Sequence, residues 1–533
     1  MKKIGLLIVF SALVCAVWAV PARRGGMVVT QPDGTEVTVY QHGDEHFHWM
    51  TNEKGEWLKL DENGYYRVTQ ALSNEEIFVR RMASPKRAAM DAYPLNIAPR
   101  GLVILVNFAD VAFETEKAEM DSMLTGKNYT RNYSYTYRNK KYNITSQGSA
   151  RQYFEDASFG QYNPVFDVVG PVTVSKEMSY YGQNNAYGSD KYAERMIEEA
   201  CKLADTECNV DFSQYDNDED GYVDFVFVIY AGYGEADGGA SNTIWPHAWN
   251  LFTAAGRKCE VDGKVVDLYA CGNELDFYSE KHTGIGTFCH EFSHVLGLPD
   301  YYLTTNNPIT QQRLTPGNWS LMGHGNYLND GNTPPNFSVY DKYFLGWVTP
   351  EVLYKNQELT IPADGENYYM MTRNEKHVTA GAYRTDTVYY IENRQLEGWD
   401  AYLPGHGMLI WQVIFDEKDW HDNCPNDFVP RYRLISALST SSPYTTNKAK
   451  PEVPFPGSKN ITKYTPFAHN GLYNIAETNG VITCEFTTTT DSTAVEDISV
   501  PLTGQWYNLL GQLIDPKTYK GVAIHNNKKY LLQ

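Results

Sequence analysis

The sequence predicts an α+β fold, with a mixed sheet and helices over roughly residues 100–350 and a β-sandwich-like region after it. Three observations predict this arrangement. Continuous apolar runs at 101–110 and 223–234 have the length and the glycine or aspartate boundaries of buried central strands. The stretch 189–205 repeats apolar residues at helical spacing. Beyond about residue 350 the helix signals fade, and short strand-like stretches follow one another.

The N-terminal stretch has the pattern of a secretory signal peptide. Two lysines precede an apolar run from Ile4 to Trp18, and small residues close the run at Ala19. A membrane anchor is the alternative, but a spanning helix needs about 20 apolar residues, which is more than this run offers. We therefore predict a signal peptide at 1–19 and a protein that is secreted or carried to the cell surface.

Composition and charge limit the classes of partner. The chain is 42% hydrophobic and 14% aromatic, with 40 tyrosines, which is typical of a globular, strand-rich protein. Its formal net charge is -20, and it becomes -22 once Lys2 and Lys3 leave with the signal peptide. Nucleic acid and anionic lipid are poor partners for such a surface, and no later stretch is apolar enough to span a membrane.

Residues 20–99 have the organisation of a propeptide. Short strand-like stretches alternate with turn sequences such as QPDGTEV and DENGYY. They end in a basic, alanine-rich connector from Arg80 to Arg100, which offers several cleavage points just before the first strong strand. The alternative is an ordinary linker.

The seven cysteines that follow Cys15 are too few for a disulfide-dense scaffold. Export permits disulfides, and close spacing along the chain suggests two local bridges. The candidate pairs are Cys201 with Cys208, and Cys259 with Cys271.

The stretch GTFCHEFSHVLGLPDYY, at 286–302, carries the strongest chemical signal. His290 and His294 are one helical turn apart, so both imidazoles point the same way and can bind one zinc ion. Glu291, on the adjoining position, can reach a water molecule at that ion. A buried structural pair of histidines is the alternative.

Two residues after the helix complete the predicted site. Gly297 can adopt the left-handed conformation that ends a helix and turns the chain back. This turn brings Asp300 towards the same metal, so that two nitrogens and one carboxylate leave a fourth position for water.

Hydrolysis of a peptide bond is the reaction that best fits this set of residues. Water is a weak nucleophile, and the tetrahedral oxyanion requires positive charge; zinc answers both requirements. Glu291 is predicted to act as general base and then to pass the proton to the leaving amine.

The stretch GNWSLMGHGNYL lies downstream of the histidines and offers further candidates. Met322 sits in a glycine-flanked turn and is predicted to support the metal site from below; ordinary core packing is the alternative. His324 and Tyr327 are candidate catalytic donors of a hydrogen bond to the oxyanion.

The acidic stretch DNDEDGYVD, at 216–224, predicts a structural calcium ion. Its position twelve is Phe227 rather than the bidentate glutamate of an EF-hand, and a solvated acidic turn is the alternative. The predicted calcium ligands are Asp216, Asp218, Asp220, the Tyr222 carbonyl and Asp224.

Several stretches together resemble the immune inhibitor A family of secreted bacterial metallopeptidases, within the metzincin-like zinc peptidases. They are HEFSHVLGLPDYY, NWSLMGHGNY, FSVYDKYFLGW, DNDEDGYVDFVFVIYAGYGEA with TIWPHAW, and ENRQLEGWDAYLPGHGMLIWQV, and they cover roughly 100–420. The resemblance implies a zinc endopeptidase with a propeptide, calcium sites and β-rich modules after the catalytic domain. The C-terminal tail resembles sorting domains of the type IX secretion route.

Carried over by position, the resemblance gives His290 and His294 as zinc ligands and Glu291 as the catalytic glutamate. Asp300 stands where many metzincins have a third histidine. His324 stands where the usual metzincin turn has a tyrosine, two residues past the methionine.

The domains expected are a signal peptide at 1–19, a propeptide at 20–99, a catalytic domain at 100–350, a β-sandwich-like domain at 351–488 and a tail at 489–533. The function predicted is that of a secreted zinc endopeptidase made as a zymogen and acting on proteins or peptides. The alternatives are a surface adhesin with an inert peptidase domain, and a zinc enzyme that cuts another amide or an ester.

Overall fold

A computed structural model describes most of the chain. The residues described are 18–23, 25–44, 47–61, 63–73, 76, 98–185, 189–252, 256–303, 315–363, 365, 367–372, 387–427, 429–438, 451–488, 506–508, 513–517, 519, 521–525 and 528–532. Most of the predicted signal peptide lies outside this set, and so do residues 77–97, which include most of the predicted connector.

The N-terminal region is a small antiparallel sheet. Its strands are β1 (Trp18–Ala19), β2 (Gly26–Thr30), β3 (Glu36–Asp44), β4 (Phe47–Thr51), β5 (Trp57–Leu60) and β6 (Tyr66–Val68). Strands β2 to β6 pair in sequence order around a core of Met27, Val39, Met50 and Leu58. Strand β1 does not belong to this sheet and joins the central one.

The central region alternates strands and helices. Its strands are β7 (Arg100–Asn107), β8 (Asn132–Tyr137), β9 (Lys140–Thr145), β10 (Val165–Thr173), β11 (Tyr222–Val223), β12 (Val226–Tyr233), β13 (His247–Asn250), β14 (Cys259–Val261), β15 (Lys264–Val266), β16 (Leu268–Asp276) and β17 (Lys281–His282). Its helices are α1 (Lys117–Thr125), α2 (Ala150–Ala157), α3 (Met178–Tyr181), α4 (Ala193–Cys208), α5 (Gly286–Val295) and α6 (Val339–Phe344).

A mixed sheet forms the centre of this region, in the order β1-β13-β16-β12-β7-β10, and β17 also pairs with β16. Strands β10, β7, β12 and β16 are parallel, whereas β13 and β1 are antiparallel to their neighbours. The two predicted central strands are confirmed as β7 and β12, which are neighbours with Val226 opposite Leu102. Both are buried on both faces, as continuous apolar runs indicate.

The two faces of the sheet have separate cores. Val103 and Leu105 point to the face covered by α1, α2 and α5, whereas Leu102 and Ile104 point to the face covered by α3 and α4. The helix predicted at 189–205 is confirmed as α4, and its buried stripe is Ala193, Met196, Ile197, Ala200, Cys201 and Ala204. The α+β class follows from these layers.

Strands dominate after residue 350. They are β18 (Glu351–Val352), β19 (Gln357–Ile361), β20 (Tyr369–Thr372), β21 (Val388–Arg394), β22 (Gly407–Val413), β23 (Tyr432–Ile435), β24 (Asn470–Thr478) and β25 (Val481–Thr488), and the described part of this region also contains the short α-helix α7 (Glu417–His421). They form a sheet β18-β20-β21-β22-β23 and a sheet β19-β25-β24, which share one buried core.

The first of these sheets also shares a core with the central region. Tyr390, Trp411 and Tyr432 belong to the same buried cluster as Tyr301 and Tyr340. The rings of Tyr301 and Tyr432 stack with centroids 3.6 Å apart and planes at 4°. The chain on either side of residue 350 is therefore packed together through aromatic side chains.

The tail contains β26 (Trp506–Asn508), β27 (Leu513–Ile514), β28 (Gly521–His525) and β29 (Lys528–Leu532), in the order β27-β26-β28-β29. Among the described residues, every helix is too short or too polar to cross a bilayer.

The cysteines differ from the expected local pairs. Among the described residues, no two of the seven cysteines are joined by a disulfide. The side chain of Cys201, on α4, is hydrogen-bonded to Cys259, on β14, rather than close to its sequence neighbour Cys208. The two suggested local bridges are wrong, because Cys201 and Cys208 lie about two turns apart on α4 and Cys271 lies on β16, away from Cys259 on β14.

Candidate metal centre

Helix α5 places the two histidines of the predicted site. Its apolar side chains, including Phe288 and Phe292, face the sheet, and the helix is buried almost throughout. At its start, Gly286 lies so close to a neighbouring turn that an added Cβ would be 1.9 Å from the Asn326 carbonyl oxygen. This close approach fixes the helix against the turn that contains Tyr327.

Asp300 joins the two histidines, as the spacing predicts. Gly297 has φ +95°, the left-handed conformation that lets the chain turn back after α5. The Oδ1 atom of Asp300 then lies 3.1 Å from His290 Nε2 and 3.4 Å from His294 Nε2. The two Nε2 atoms are 3.1 Å apart, and all three side chains are buried.

The hydrogen bonds of the two histidine rings determine which ring nitrogens carry protons and which present lone pairs. His290 Nδ1 lies 2.9 Å from the Leu321 carbonyl oxygen, and His294 Nδ1 lies 2.8 Å from the Leu298 carbonyl oxygen. A carbonyl only accepts, so each Nδ1 carries the proton and each Nε2 presents a lone pair to Asp300. Two imidazole lone pairs and a carboxylate oxygen that converge in a buried space fit a divalent metal ion such as zinc.

The protonation of the cluster agrees with metal binding. Burial lowers the pKa of His294 to about 4, which keeps the ring neutral near pH 7. A neutral ring and an ionised carboxylate are the states in which these groups bind metals.

A residue that the sequence did not indicate holds Asp300 in place. The side chain of Asn423, which follows α7, donates from Nδ2 to Asp300 Oδ2 at 2.7 Å and accepts the Asp300 backbone N–H at 2.6 Å. Nearby, Asn426 Nδ2 donates to the Tyr301 carbonyl oxygen at 2.9 Å. Both asparagines lie more than 120 residues from their partners in sequence, so no local motif points to them.

The turn after the histidines supports the site through its backbone. Met322 is fully buried, and its carbonyl oxygen accepts the Tyr301 N–H at 2.7 Å. Its neighbour Leu321 provides the carbonyl that receives the His290 proton. The methionine turn therefore fixes both the first histidine and the residue after Asp300.

The predicted catalytic residues occupy different surroundings. Glu291 is fully buried on α5, one residue past His290. The His324 ring is half-buried and packs at 6.0 Å against the Tyr302 ring. Tyr327 donates its hydroxyl proton to the Pro21 carbonyl oxygen at 2.8 Å, and burial raises its pKa, which keeps the hydroxyl protonated. A peptide carbonyl of the N-terminal region therefore accepts the hydrogen bond that the Tyr327 hydroxyl donates.

The acidic loop brings together three of the five predicted calcium ligands. Asp216, Asp218 and Asp220 can place one oxygen each within 4.8 Å of one another. The Lys264 ammonium group lies 2.6 Å from Asp216 Oδ2.

The other two predicted calcium ligands lie beside this cluster. Asp224 accepts the Asn217 backbone N–H at 2.5 Å, and burial raises the Asp224 pKa to about 6. The Tyr222 side chain is exposed, and its backbone N–H donates to Asp220 Oδ1 at 2.7 Å.

Comparison with known proteins points to one family. Residues 98–348 match the family described as immune inhibitor A peptidase M6, catalytic domain. Over 242 residues, the sequence is 28% identical to the pre-pro-metalloprotease PrtV of Vibrio cholerae serotype O1 (strain ATCC 39315 / El Tor Inaba N16961). This match covers 39% of the present chain and 25% of PrtV. Over 225 residues it is 29% identical to immune inhibitor A of Bacillus thuringiensis subsp. alesti, covering 37% of this chain and 31% of that protein. The matched part is about a quarter to a third of the length of these curated relatives.

Proposed function

The chain carries, over residues 98–348, a catalytic domain of the immune inhibitor A peptidase family, and from this premise we propose that it is a secreted zinc-dependent endopeptidase made as a zymogen. The observation that carries the proposal is the convergence of His290, His294 and Asp300 beside Glu291 on one buried helix and its following turn. A metzincin-like arrangement of the catalytic domain belongs to the same proposal.

The proposed roles follow from the surroundings of each residue. His290, His294 and Asp300 would hold the zinc ion through Nε2, Nε2 and a carboxylate oxygen. When bound, zinc supplies positive charge that polarises the scissile carbonyl and lowers the pKa of water. Glu291 accepts the proton of the attacking water and donates it to the leaving amine.

Tyr327 is the better of the two candidates for stabilising the oxyanion. Its hydroxyl already donates to a peptide carbonyl, that of Pro21, and its raised pKa keeps the donor proton in place. The role proposed for His324 rests on its place in the turn, two residues after Met322.

Further parts of the proposal concern the rest of the chain. Residues 1–19 would direct export and be removed, residues 20–99 would keep the enzyme latent, and 489–533 would serve sorting to the cell surface. Residues 351–488 would form a β-sandwich-like domain, for which the shared core of the two sheets gives support. Asp216, Asp218 and Asp220 would bind calcium, with Lys264 displaced from Asp216 by the ion.

One pair of variants tests the proposed reaction. Glu291→Ala should keep zinc, measured by metal analysis, while losing cleavage of casein or gelatin by a factor of about 10³ or more, since the general base is gone. Glu207→Ala, which removes an exposed carboxylate from α4, is the matched control and should keep full activity.

The result also separates the alternatives. Activity that survives Glu291→Ala would contradict the proposed mechanism. A wild-type chain that holds zinc but cleaves no protein, while residues after 350 bind a partner, would favour the surface adhesin. The adhesin hypothesis does not require the full set of His290, Glu291, His294 and Asp300.

A further inference from the structure

Residues 20–23 lie against the candidate active site. The proposed removal of residues 1–19 would leave this segment at the N-terminus, where its own backbone groups hold it. The Val20 carbonyl accepts the Trp245 indole N–H at 3.0 Å, and the Pro21 carbonyl accepts the Tyr327 hydroxyl. The Arg23 N–H donates to the Ala236 carbonyl oxygen at 3.0 Å. A peptide segment is therefore held by its backbone beside the turn that packs against α5.

Arg23, at the end of this segment, enters a pocket of three carboxylates. Its Nη1 contacts Asp237 at 2.7 Å and also bonds Asp276, while Nη2 bonds Asp330. The guanidinium carbon lies 4.4 Å from the Tyr278 ring centroid. Only 12% of the Arg23 side chain is exposed, and the three carboxylates are more buried still.

The pocket is constructed from separate parts of the catalytic region. Asp237 ends a short 3-10 turn after β12, Asp276 ends β16, and Asp330 follows the turn that contains Tyr327. Asp276 is oriented by its other oxygen, which accepts the Ser279 backbone N–H at 2.7 Å and the Ser279 hydroxyl at 2.8 Å. The position of Asp276 therefore does not depend on the N-terminal region.

Charge makes the pocket unsuitable for a neutral occupant. Three carboxyl groups contact one guanidinium, so the pocket holds three acidic groups for the single positive charge of Arg23. Burial raises the pKa of Asp237 to about 8, against the effect of Arg23, and it also raises the pKa of Asp330. Removal of residues 20–99 would open an acidic pocket next to the turn that packs against α5. A second guanidinium is the group that fits this pocket best, because two different nitrogens of Arg23 are bound and the Tyr278 ring lies alongside.

We propose that Asp237, Asp276 and Asp330 form a specificity subsite that binds an arginine side chain of the substrate, and that Arg23 occupies this subsite in the unprocessed chain. This inference rests on the proposed peptidase function and adds a substrate class to it. The enzyme is then selective for proteins with arginine at one fixed distance from the scissile bond, and the N-terminal segment blocks the cleft by presenting the same side chain.

A pair of peptides tests the subsite. The full chain, cut within the connector at 77–97, first digests a peptide library to locate the preferred arginine position. Synthetic peptides with arginine or the neutral isostere citrulline at that position are then compared. We expect kcat/KM at least tenfold higher for arginine in the wild type, and a ratio within about threefold of one in Asp276→Asn, because a charged hydrogen bond to a buried carboxylate is lost. Asp167→Asn, at the exposed ion pair with Arg100, is the control and should keep the wild-type ratio.

Equal cleavage of the two peptides by the wild type would overturn the inference while leaving the proposed peptidase intact. A binding measurement covers the case in which Asp276→Asn fails to fold or no peptide is cleaved. Processed Glu291→Ala protein should bind the peptide Val-Pro-Ala-Arg, which copies residues 20–23, at least tenfold more tightly than its citrulline analogue by calorimetry. Equal affinities would overturn the subsite, whereas absence of all cleavage by the wild type would count against the proposed function alone.

Discussion

Removing the Asn423 side chain should weaken zinc binding without touching a ligand. Asn423 makes two hydrogen bonds to Asp300, one to the carboxylate at 2.7 Å and one to the backbone N–H at 2.6 Å. Asn423 has φ +53°, so glycine is the suitable replacement because it adopts this conformation without strain. Asn423→Gly therefore isolates the loss of the side chain.

The size of the effect follows from the bonds lost. A buried hydrogen bond to a charged group contributes about 1.5–3 kcal/mol, and a neutral one contributes about 1 kcal/mol. Only the fraction of this free energy that orients Asp300 for the metal contributes to metal affinity. The loss of such supporting contacts typically weakens metal binding 10- to 100-fold, or about 1.4–2.8 kcal/mol.

Competition with a fluorescent zinc chelator measures this change directly. Asn474→Gly is a matched control, because Asn474 also has a positive φ of 53° but lies at an exposed position and bonds Glu485. Zinc affinity in Asn423→Gly within twofold of the wild type, with the control unchanged, would refute the reasoning that Asn423 positions the third ligand.

Two further predictions concern stability and oxidation. Burial lowers the pKa of His294 to about 4 from an unfolded value near 6.5, so the unfolded chain binds more protons than the folded chain between these two pH values. The free energy of unfolding of the metal-stripped chain should therefore fall as the pH drops from about 6.5 to about 4, by about 3 kcal/mol in total. Urea unfolding at several pH values should show a shallower loss in His294→Gln, and equal losses in the two proteins would contradict the assignment. In an exported chain, the hydrogen-bonded thiols of Cys201 and Cys259 should oxidise to a disulfide that closes a long loop and stabilises the fold by about 4 kcal/mol in the chain-entropy model. Peptide mapping under non-reducing conditions should find this pair, and recovery of both cysteines as free thiols would rule it out.

Local spacing explains which parts of the site could be predicted from sequence. His290, Glu291 and His294 lie within one and a half turns of a helix, and Gly297 ends that helix, so their arrangement depends on backbone geometry alone. The two central strands β7 and β12 could be predicted for a similar reason, because a strand buried on both faces is apolar along its whole length.

Contacts between distant residues explain what could not be predicted. Asn423 reaches Asp300 from the β-rich region, and Asp237, Asp276 and Asp330 meet only when three loops of the folded chain converge. The cysteine pairs suggested by close spacing were wrong for two local reasons. Cys201 and Cys208 lie about two turns apart on one helix, whereas Cys259 and Cys271 lie on different strands.

The order in which the chain is made gives the Asn423 contact a further meaning. The ribosome makes the chain from the N-terminus, so His290 and His294 are made well before Asn423, which comes 123 residues after Asp300. Until that later segment has folded back, and Tyr432 has stacked on Tyr301, the carboxylate has no fixed direction. We expect the metal centre to form among the last events of folding, so that a half-made chain has little means of cutting the proteins around it.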